Sequence, residues 1–549
     1  MTGATEDDGT GAAGRSDAAA TMRDAWTGSA VREAERPLLH AGHGPALMRR
    51  AAWGLADHVA ALLRERRAGR TAPVAGATVA ALVGSGNNGG DALWALAFLR
   101  RRGVEAVAVP VRVDEGGEPR WHAEGWAALR AAGGRRADAV PARADVVVDG
   151  ILGTGFSGSF VPPAVARDLP PRTAVVACDV PSGVDADTGA VPGETIRADL
   201  TVTFGSAKVG LLLGEGAAAA GRVHVVDIGL GPHLPRHEAA RLHVVDEAAA
   251  VALHPRPAAD AHKYTRGVVG VVAGSEQYPG AAVLATGGAL AAGAGMVHHT
   301  GPATPRSLVL GAHPEALVSA DGPDPAKTAA WVLGPGLGGD DDARRRVERT
   351  VTSVLHSARE GAPAPLVVDA SALELLTSED LAALAAAGAS VVLTPHAGEW
   401  ARLRERLPVR AADDVAVSDG GAGELDRLRA WTAVHGVTVL LKGPRTLVVA
   451  PDGEAWLMHD GGPQLGVAGT GDVLSGVIGA VLAAESARAS RDGTPEAERP
   501  SAAALAVAGA IIHARAGSEQ ARRGHATAGT LPEAVGRVVA DRWWGAAPC

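Results

Sequence analysis

Little in this chain points to secretion, redox chemistry or nucleic acid. It has 549 residues and only two cysteines, Cys178 and Cys549. Two cysteines build neither a disulfide framework nor a zinc cluster, and they suit a reducing cytoplasm. Aromatic residues make up 3% of the chain, so its cores must be built from Ala, Val and Leu. Basic residues are in deficit: 52 Lys and Arg against 61 Asp and Glu leave a formal charge of −9. A polyanion would be repelled by that balance. Local basic runs at Arg64, Arg66 and Arg67 and at Arg344–Arg346 are expected to lie on solvated helix faces. The N-terminus offers no apolar segment of signal-peptide type, and no uninterrupted apolar run is long enough for a membrane span.

Apolar residues and glycine are plentiful, at 47% and 72 residues respectively. Residues 1–20 are small and polar without periodicity and are expected to form a disordered tail. From Thr21 to Ala68 the apolar spacing is helical. Strands are expected at Val79–Val83, Val104–Val111, Asp145–Asp149, Thr173–Asp179, Leu200–Phe204 and Val223–Asp227. They read as nearly continuous apolar runs, the pattern of a parallel sheet covered on both faces. A Pro- and His-rich break at residues 232–245 divides the chain into domains at 21–235 and 245–549. The second half restarts at Gly267–Gly274. Further strands are expected at Ala330–Leu333, Leu366–Asp369, Ser390–Thr394, Val437–Lys442 and Thr446–Ala450. Glu485–Pro500 reads as a flexible insertion.

In the first half, Gly84-Ser85-Gly86-Asn87-Asn88-Gly89-Gly90-Asp91 follows a strand and precedes a helix expected from about Ala92. Glycines there let the backbone approach a ligand and aim N–H groups at an anion. The acidic residue of a dehydrogenase fingerprint is misplaced: Glu105 comes too early and Asp114 too late. Other strands end in Asp149–Gly155, in Asp179-Val180-Pro181-Ser182-Gly183 and in the segment closing at Lys208. Strand C-termini of one sheet face one crevice, so Asn88, Asp149, Asp179 and Ser182 converge there if the sheet is parallel. Oxygen donors of this kind suit a hard cation. Each Asp taken singly could equally cap a turn.

In the second half, Gly469-Thr470-Gly471-Asp472 opens an apolar helix. It lacks the Gly-Lys-Ser/Thr of a Walker motif. Its amides point toward a phosphate, and Asp472 is placed to take a proton from a substrate hydroxyl. Further strand ends carry Gly334–Gly338, Asp369–Leu373, Thr394–Glu399 and Lys442–Thr446. The Lys442 side chain either meets a nucleotide phosphate or lies on the surface. His396 either contacts a ligand or is structural.

The first set of motifs resembles the YjeF N-terminal domain, the NAD(P)H-hydrate epimerase. The second resembles the YjeF C-terminal domain, the ADP-dependent NAD(P)H-hydrate dehydratase of ribokinase-like fold. The resemblance implies an α/β protein, with a Rossmann-like three-layer αβα domain followed by a ribokinase-like one. It implies K+ at Asn88, Asp149 and Ser182, with Asp179 as acid/base. Hydrated cofactor would meet Asn87, Asn88, Gly89, Gly90 and Asp91, then Gly153, Thr154, Gly155, Phe156, Ser157, Gly158 and Ser159. In the second domain it would meet Ala281, Gly338 and His396, with Asp472 as the catalytic base. ADP, a co-substrate, would meet Lys442, Gly443, Pro444, Arg445, Thr446, Gly469, Thr470 and Gly471, with Mg2+ admitted beside it. Small-molecule substrates, no nucleic acid, no membrane and a homo-oligomer are the expected partnerships. Two departures from the family stand out: Met48 is followed by Arg49 rather than Glu, and Gly461-Gly462-Pro463 replaces Gly-Asn-Pro. Three rivals share parts of the pattern: an ATP-dependent small-molecule kinase, a dehydrogenase and a non-enzymatic binding protein.

Overall fold

The computed structural model describes residues 24–67, 72–113, 118–235, 241–245, 247–361, 363–409, 423–458 and 463–545. The expected tail at 1–20, Asp114, Gly461, Gly462 and Cys549 lie outside the described residues. The chain forms two compact units, Met1–Pro235 and Arg236–Cys549.

The first unit holds a seven-stranded, wholly parallel sheet. Its strands run in the order Arg135–Arg136, Glu105–Pro110, Thr78–Val83, Val146–Gly150, Ala174–Cys178, Leu200–Phe204, Arg222–Val226. Four of these strands, Thr78–Val83, Val146–Gly150, Ala174–Cys178 and Leu200–Phe204, are buried along their whole length. Helices cover them, as apolar runs without alternation require. The winding reverses between Thr78–Val83 and Val146–Gly150, and the loops leaving that switch point are Gly84–Asp91 and Ile151–Gly155. The helix after the first of these begins at Asn87, not at Ala92. The two Asn and two Gly therefore form its first turn, and Gly86 caps it. Nor is Thr21–Ala68 helical throughout: a short strand, Asp24–Trp26, precedes helices Gly28–His40 and Gly44–Arg66.

The second unit begins its sheet from Leu317–Ser319, then Met296–Thr300, Val268–Val272, Ala330–Leu333, Leu366–Val368, Val391–Leu393 and Thr438–Leu441, all parallel. An antiparallel pair, Leu447–Val449 and Ala455–Leu457, extends it, and Arg241–Val244 joins parallel to the latter. Here the reversal falls between Val268–Val272 and Ala330–Leu333.

Helix Thr470–Asp492 packs against this sheet. It is long and apolar enough to cross a membrane, but 72% of its apolar window is buried inside the unit. It lies very close to helix Gly280–Ala291: a Cβ on Gly476 would fall 2.1 Å from the Ala285 carbonyl oxygen. Small residues at such crossings replace aromatics as core filler. The same helix corrects the expected insertion. Glu485–Asp492 continues it, Glu496–Glu498 is a 3-10 turn, and the buried Glu485 accepts two hydrogen bonds from Arg488. The basic run at 344–346 is not wholly solvated either. Arg346 is buried, pairs with Asp342 at 2.9 Å and donates to the Gly274 carbonyl at 2.8 Å.

Candidate active sites

In the first unit the strand ends build one pocket around Asp179. This residue follows strand Ala174–Cys178 with φ of +67°, a region that non-glycine residues seldom enter. Such a backbone persists only when the surroundings hold it. Here Lys208 Nζ donates to Asp179 Oδ1 at 2.7 Å, and Thr203 Oγ1 donates to the same oxygen at 3.0 Å. The Thr154 hydroxyl and its N–H donate to Oδ2, the latter at 3.2 Å. The lysine side chain is only 2% exposed and also donates to Thr203 Oγ1 and the Phe204 carbonyl, each at 2.9 Å. Burial alone would raise the Asp179 pKa. The ammonium and the hydroxyls outweigh it and hold the carboxyl below its ordinary value.

Asp91 stands opposite in character. It is buried in the first helical turns, and its Oδ1 has no hydrogen-bond partner. Burial, with Asp179 and Glu35 as like-charged neighbours, pushes its pKa well above the ordinary carboxyl value and so favours its neutral form. Glu35, on helix Gly28–His40, is raised as well, by burial first, against the pull of Lys208. The sequence singled out neither Glu35 nor the role of Lys208; both depend on which helix or strand folds over the crevice.

Asp149, Ser182 and Asn88 also meet. The Ser182 hydroxyl donates to Asp149 Oδ1 at 2.7 Å and its N–H to Oδ2 at 2.8 Å. Leu152 N–H donates to Ser182 Oγ at 3.0 Å, while Asn88 Nδ2 donates to the Leu152 carbonyl at 2.7 Å. A Cβ on Gly153 would lie 3.2 Å from Asn88 Oδ1 and 3.3 Å from Asp179 Oδ2, so both groups border one loop. Burial raises the Asp149 pKa to about 6, and its hydrogen bonds come from the uncharged Ser182 and Ile151. The rest of the expected contact segment spreads out. Gly89 and Gly90 are buried, Asn87 and Gly155 are exposed, Phe156 packs on the far core, and Ser157, Gly158 and Ser159 stay exposed along the loop.

In the second unit the pocket is organised by Asp369. Its carboxylate accepts from Lys442 Nζ at 2.7 Å on one oxygen and from Ser475 Oγ at 2.6 Å on the other. The next residue, Ala370, has φ of +50°. Gly334, with φ of +123°, passes so near that a Cβ there would sit 1.8 Å from the Asp369 carbonyl oxygen. Gly338 N–H donates to Ser371 Oγ at 3.2 Å, and Ala281 packs under Gly336. Ala281, Gly338 and Asp369 thus belong to one surface.

Gly469 caps helix Thr470–Asp492 in a left-handed conformation. His513 Nε2 holds the first turn by bonding the Thr470 carbonyl at 2.8 Å, and burial keeps that imidazole neutral, with a pKa of about 4. A Cβ on Gly471 would lie 3.4 Å from Lys442 Nζ, which puts the ammonium beside the helix mouth. Asp472 has its pKa raised to about 7, by burial first and then by Asp369, against the opposing pull of Lys442. Lys442 is therefore not on the surface. Burial would lower its pKa, but Asp369, Glu399 and Asp472 hold it above its ordinary value.

His396 turns out to cap helix Ala397–Arg406: Nδ1 accepts from Gly398 and Glu399 N–H groups, and Glu399 reciprocates at the His396 N–H. Its side chain remains 56% exposed. Gly443 and Pro444 are exposed where the chain turns between two strands, and Arg445 and Thr446 are half-buried.

Residues 44–210 match the family described as YjeF-related protein N-terminus, and residues 269–539 match the one described as NAD(P)H-hydrate dehydratase. The bifunctional NAD(P)H-hydrate repair enzyme Nnr of Mycobacterium tuberculosis H37Rv is 42% identical over 466 residues, covering 84% of this chain and 89% of its own. Its namesake from Mycobacterium leprae is 40% identical over 522 residues, covering 94% and 98%. Among solved structures, the ADP/ATP-dependent NAD(P)H-hydrate dehydratase of Bacillus subtilis, co-crystallised with ATP/Mg2+, is 25% identical. It covers 54% of this chain and 97% of its own, with a TM-score of 0.41. With both family matches in register with its two units, and full-length relatives at this identity, the chain belongs to the family of bifunctional NAD(P)H-hydrate repair enzymes.

Proposed function

We propose that the first unit epimerises hydrated NADH and NADPH, and that the second dehydrates one epimer at the expense of ADP. The observation that supports this most is the second pocket. A glycine-capped helix mouth, a lysine ammonium beside Gly471 and a carboxyl with a pKa of about 7 stand together at the strand ends.

Hydration leaves a hydroxyl on ring carbon 6, and hydroxide is a poor leaving group. In this reading ADP lies across the mouth formed by Gly469, Thr470 and Gly471, with the Lys442–Thr446 turn contributing further contacts. The amides and Lys442 carry the charge of the transferring β-phosphoryl group. Asp472 takes the hydroxyl proton as the new O–P bond forms and the bond to AMP breaks. The C6–O bond then breaks, inorganic phosphate leaves with the electron pair, and a proton lost from the adjacent carbon restores the ring. Ala281, Gly338 and His396 border the space for the hydrated ring. Among the described residues no group of three or more His, Cys, Asp or Glu forms a metal cage. Mg2+ beside ADP would ride on the nucleotide phosphates, as is usual for that ion.

A chiral site accepts only one hydroxyl configuration, which gives the first unit its task. Asp179, held as a carboxylate, moves the proton that opens and recloses the hydrated ring, while Asn87–Asp91 and Gly153–Ser159 hold the rest of the cofactor. Asn88, Asp149 and Ser182 suit K+: they offer oxygen donors and a buried carboxylate whose hydrogen-bond partners are neutral. K+ there would neutralise Asp149 and brace the loop from Ile151 to Gly155.

The test is a coupled assay with both hydrate epimers, ADP and K+, following the absorbance of the reduced cofactor. Recovery of both epimers supports the two-site reading. Recovery of one alone removes the epimerase assignment. ATP-dependent phosphorylation of a small alcohol without recovery replaces the reading by that of a kinase.

A further inference from the structure

Asp369 takes no part in the chemistry described above, yet it is the most firmly held charged group of the second pocket. Its side chain is 2% exposed, one oxygen accepts from Lys442, the other from Ser475, and the chain around it is kept in place by Gly334 and by the left-handed Ala370. Lys442 leaves a different strand, Thr438–Leu441, and Ser475 lies one turn beyond Asp472 on helix Thr470–Asp492. Asp369 accepts from both. A Cβ on Gly471 would lie 3.4 Å from Lys442 Nζ and 3.9 Å from Asp369 Oδ2, so both charges border the helix mouth. We propose that Asp369 is the positioning residue of the dehydratase pocket: it fixes the Lys442 ammonium beside Gly471 and presents its own negative charge to Asp472.

The proposal rests on the assignment of Asp472 as the base. Its physical content is a balance between two charges. A buried carboxyl near a like charge keeps its proton more tightly, and one near an ammonium gives it up more easily. Asp472 meets both, from Asp369 and from Lys442, and burial is the larger influence. Among the described residues, the other charged or titratable neighbours are Glu399, on helix Ala397–Arg406 and 4.0 Å from Lys442, and His513, neutral on helix Ala502–Arg523. Burial raises Asp472 first; Asp369 adds its like charge to that rise and holds the lysine that opposes it, and a general base is most useful near neutrality. Ser475 anchors the carboxylate without carrying charge.

The experiment is the pH profile of ADP-dependent dehydration in the full-length chain. For Asp369→Asn, which keeps the size of the side chain and one of its two acceptor oxygens but removes the charge, the acid-side midpoint is expected to fall by about one pH unit, with kcat lowered and the ADP KM raised several-fold. Ser475→Ala should slow turnover while leaving the midpoint in place. Lys442→Gln should move the midpoint the other way, toward alkali, and it carries the test if Asp369→Asn does not fold. A wild-type enzyme that turns over, with a midpoint unmoved in Asp369→Asn or in Lys442→Gln, overturns the proposal and spares the dehydratase reading. A wild-type chain without ADP-dependent dehydration overturns both.

Discussion

In each unit a buried aspartate holds a lysine ammonium at 2.7 Å where strand ends meet, but the pairs stand in different places. In the first unit Asp179 is both the lysine's partner and the group facing the loop of Gly153 and Thr154, and it is held ionised. Asp91, by contrast, has no basic partner among the described residues and is pushed toward its neutral form. In the second unit the pair Asp369–Lys442 stands back, and the exposed role falls to Asp472, poised at about 7. A site that must both give and accept a proton gains from one carboxyl of each kind. A site that must accept a proton during phosphoryl transfer gains from a single base near neutrality, with the ammonium free to face phosphate. In the proposed reading, proximity to a lysine therefore marks the working residue in one pocket and the supporting one in the other.

The largest effects expected would break this comparison outright. Asp472→Asn should lower dehydration by about a thousandfold or more and leave epimer interconversion intact. Asp179→Asn should do the reverse, leaving one epimer untouched by the dehydratase. Chromatography of the two hydrates beside the absorbance assay separates these outcomes; loss of both activities in either variant would deny that the pockets work separately.

Next in size, Gly334→Ala forces a Cβ into the Asp369 carbonyl and an unfavourable φ, and should destabilise the second unit by about 2–4 kcal/mol. Calorimetry should show the loss in one transition only.

The pH dependence sharpens the contrast. Asp472 must be ionised to act, so dehydration should fall about tenfold per pH unit below its pKa of about 7 and level off above it. The stability effect has the opposite sense. A carboxyl whose folded pKa is raised contributes stability below its unfolded value, and this is lost as pH rises through about 7. Asp472→Asn should flatten that loss in melting curves between pH 5 and 8. Asp179, held low, should put no such step into the epimerase profile near neutrality. The smallest effect expected is that of replacing K+ by a bulky organic cation, which should slow epimerisation several-fold and leave dehydration unchanged.

Much of this was legible in the chain itself. Unbroken apolar runs such as Thr78–Val83 announced buried parallel strands, because no alternation means no solvated face. The glycine loop before Asp472 announced a helix mouth. Where the reading went astray, packing overrode local signals. Charged, Pro- and Ser-containing residues after Glu485 looked loose, yet the apolar helix carries on through Asp492, and Arg488 neutralises the buried Glu485. The glycines at 89 and 90 suggested a loop, yet the helix starts at Asn87, with Gly86 at its N-cap and the Gly90 N–H bonded back to the Gly86 carbonyl. For His396 the chain left a ligand contact and a structural role open, and the structure shows its Nδ1 satisfying helix amides with the side chain still half exposed.

Residue order alone determined which loops end the strands and which oxygen, nitrogen and glycine atoms those loops carry, since alternation and apolar runs act over a few neighbours. Which carboxyl keeps its proton was decided only in three dimensions. Asp369 is 73 residues from Lys442 and 106 from Ser475, and Asp91 is set by burial near Asp179 and Glu35. Proton affinity follows the charges and solvent within a few ångströms, and no spacing along the chain records them.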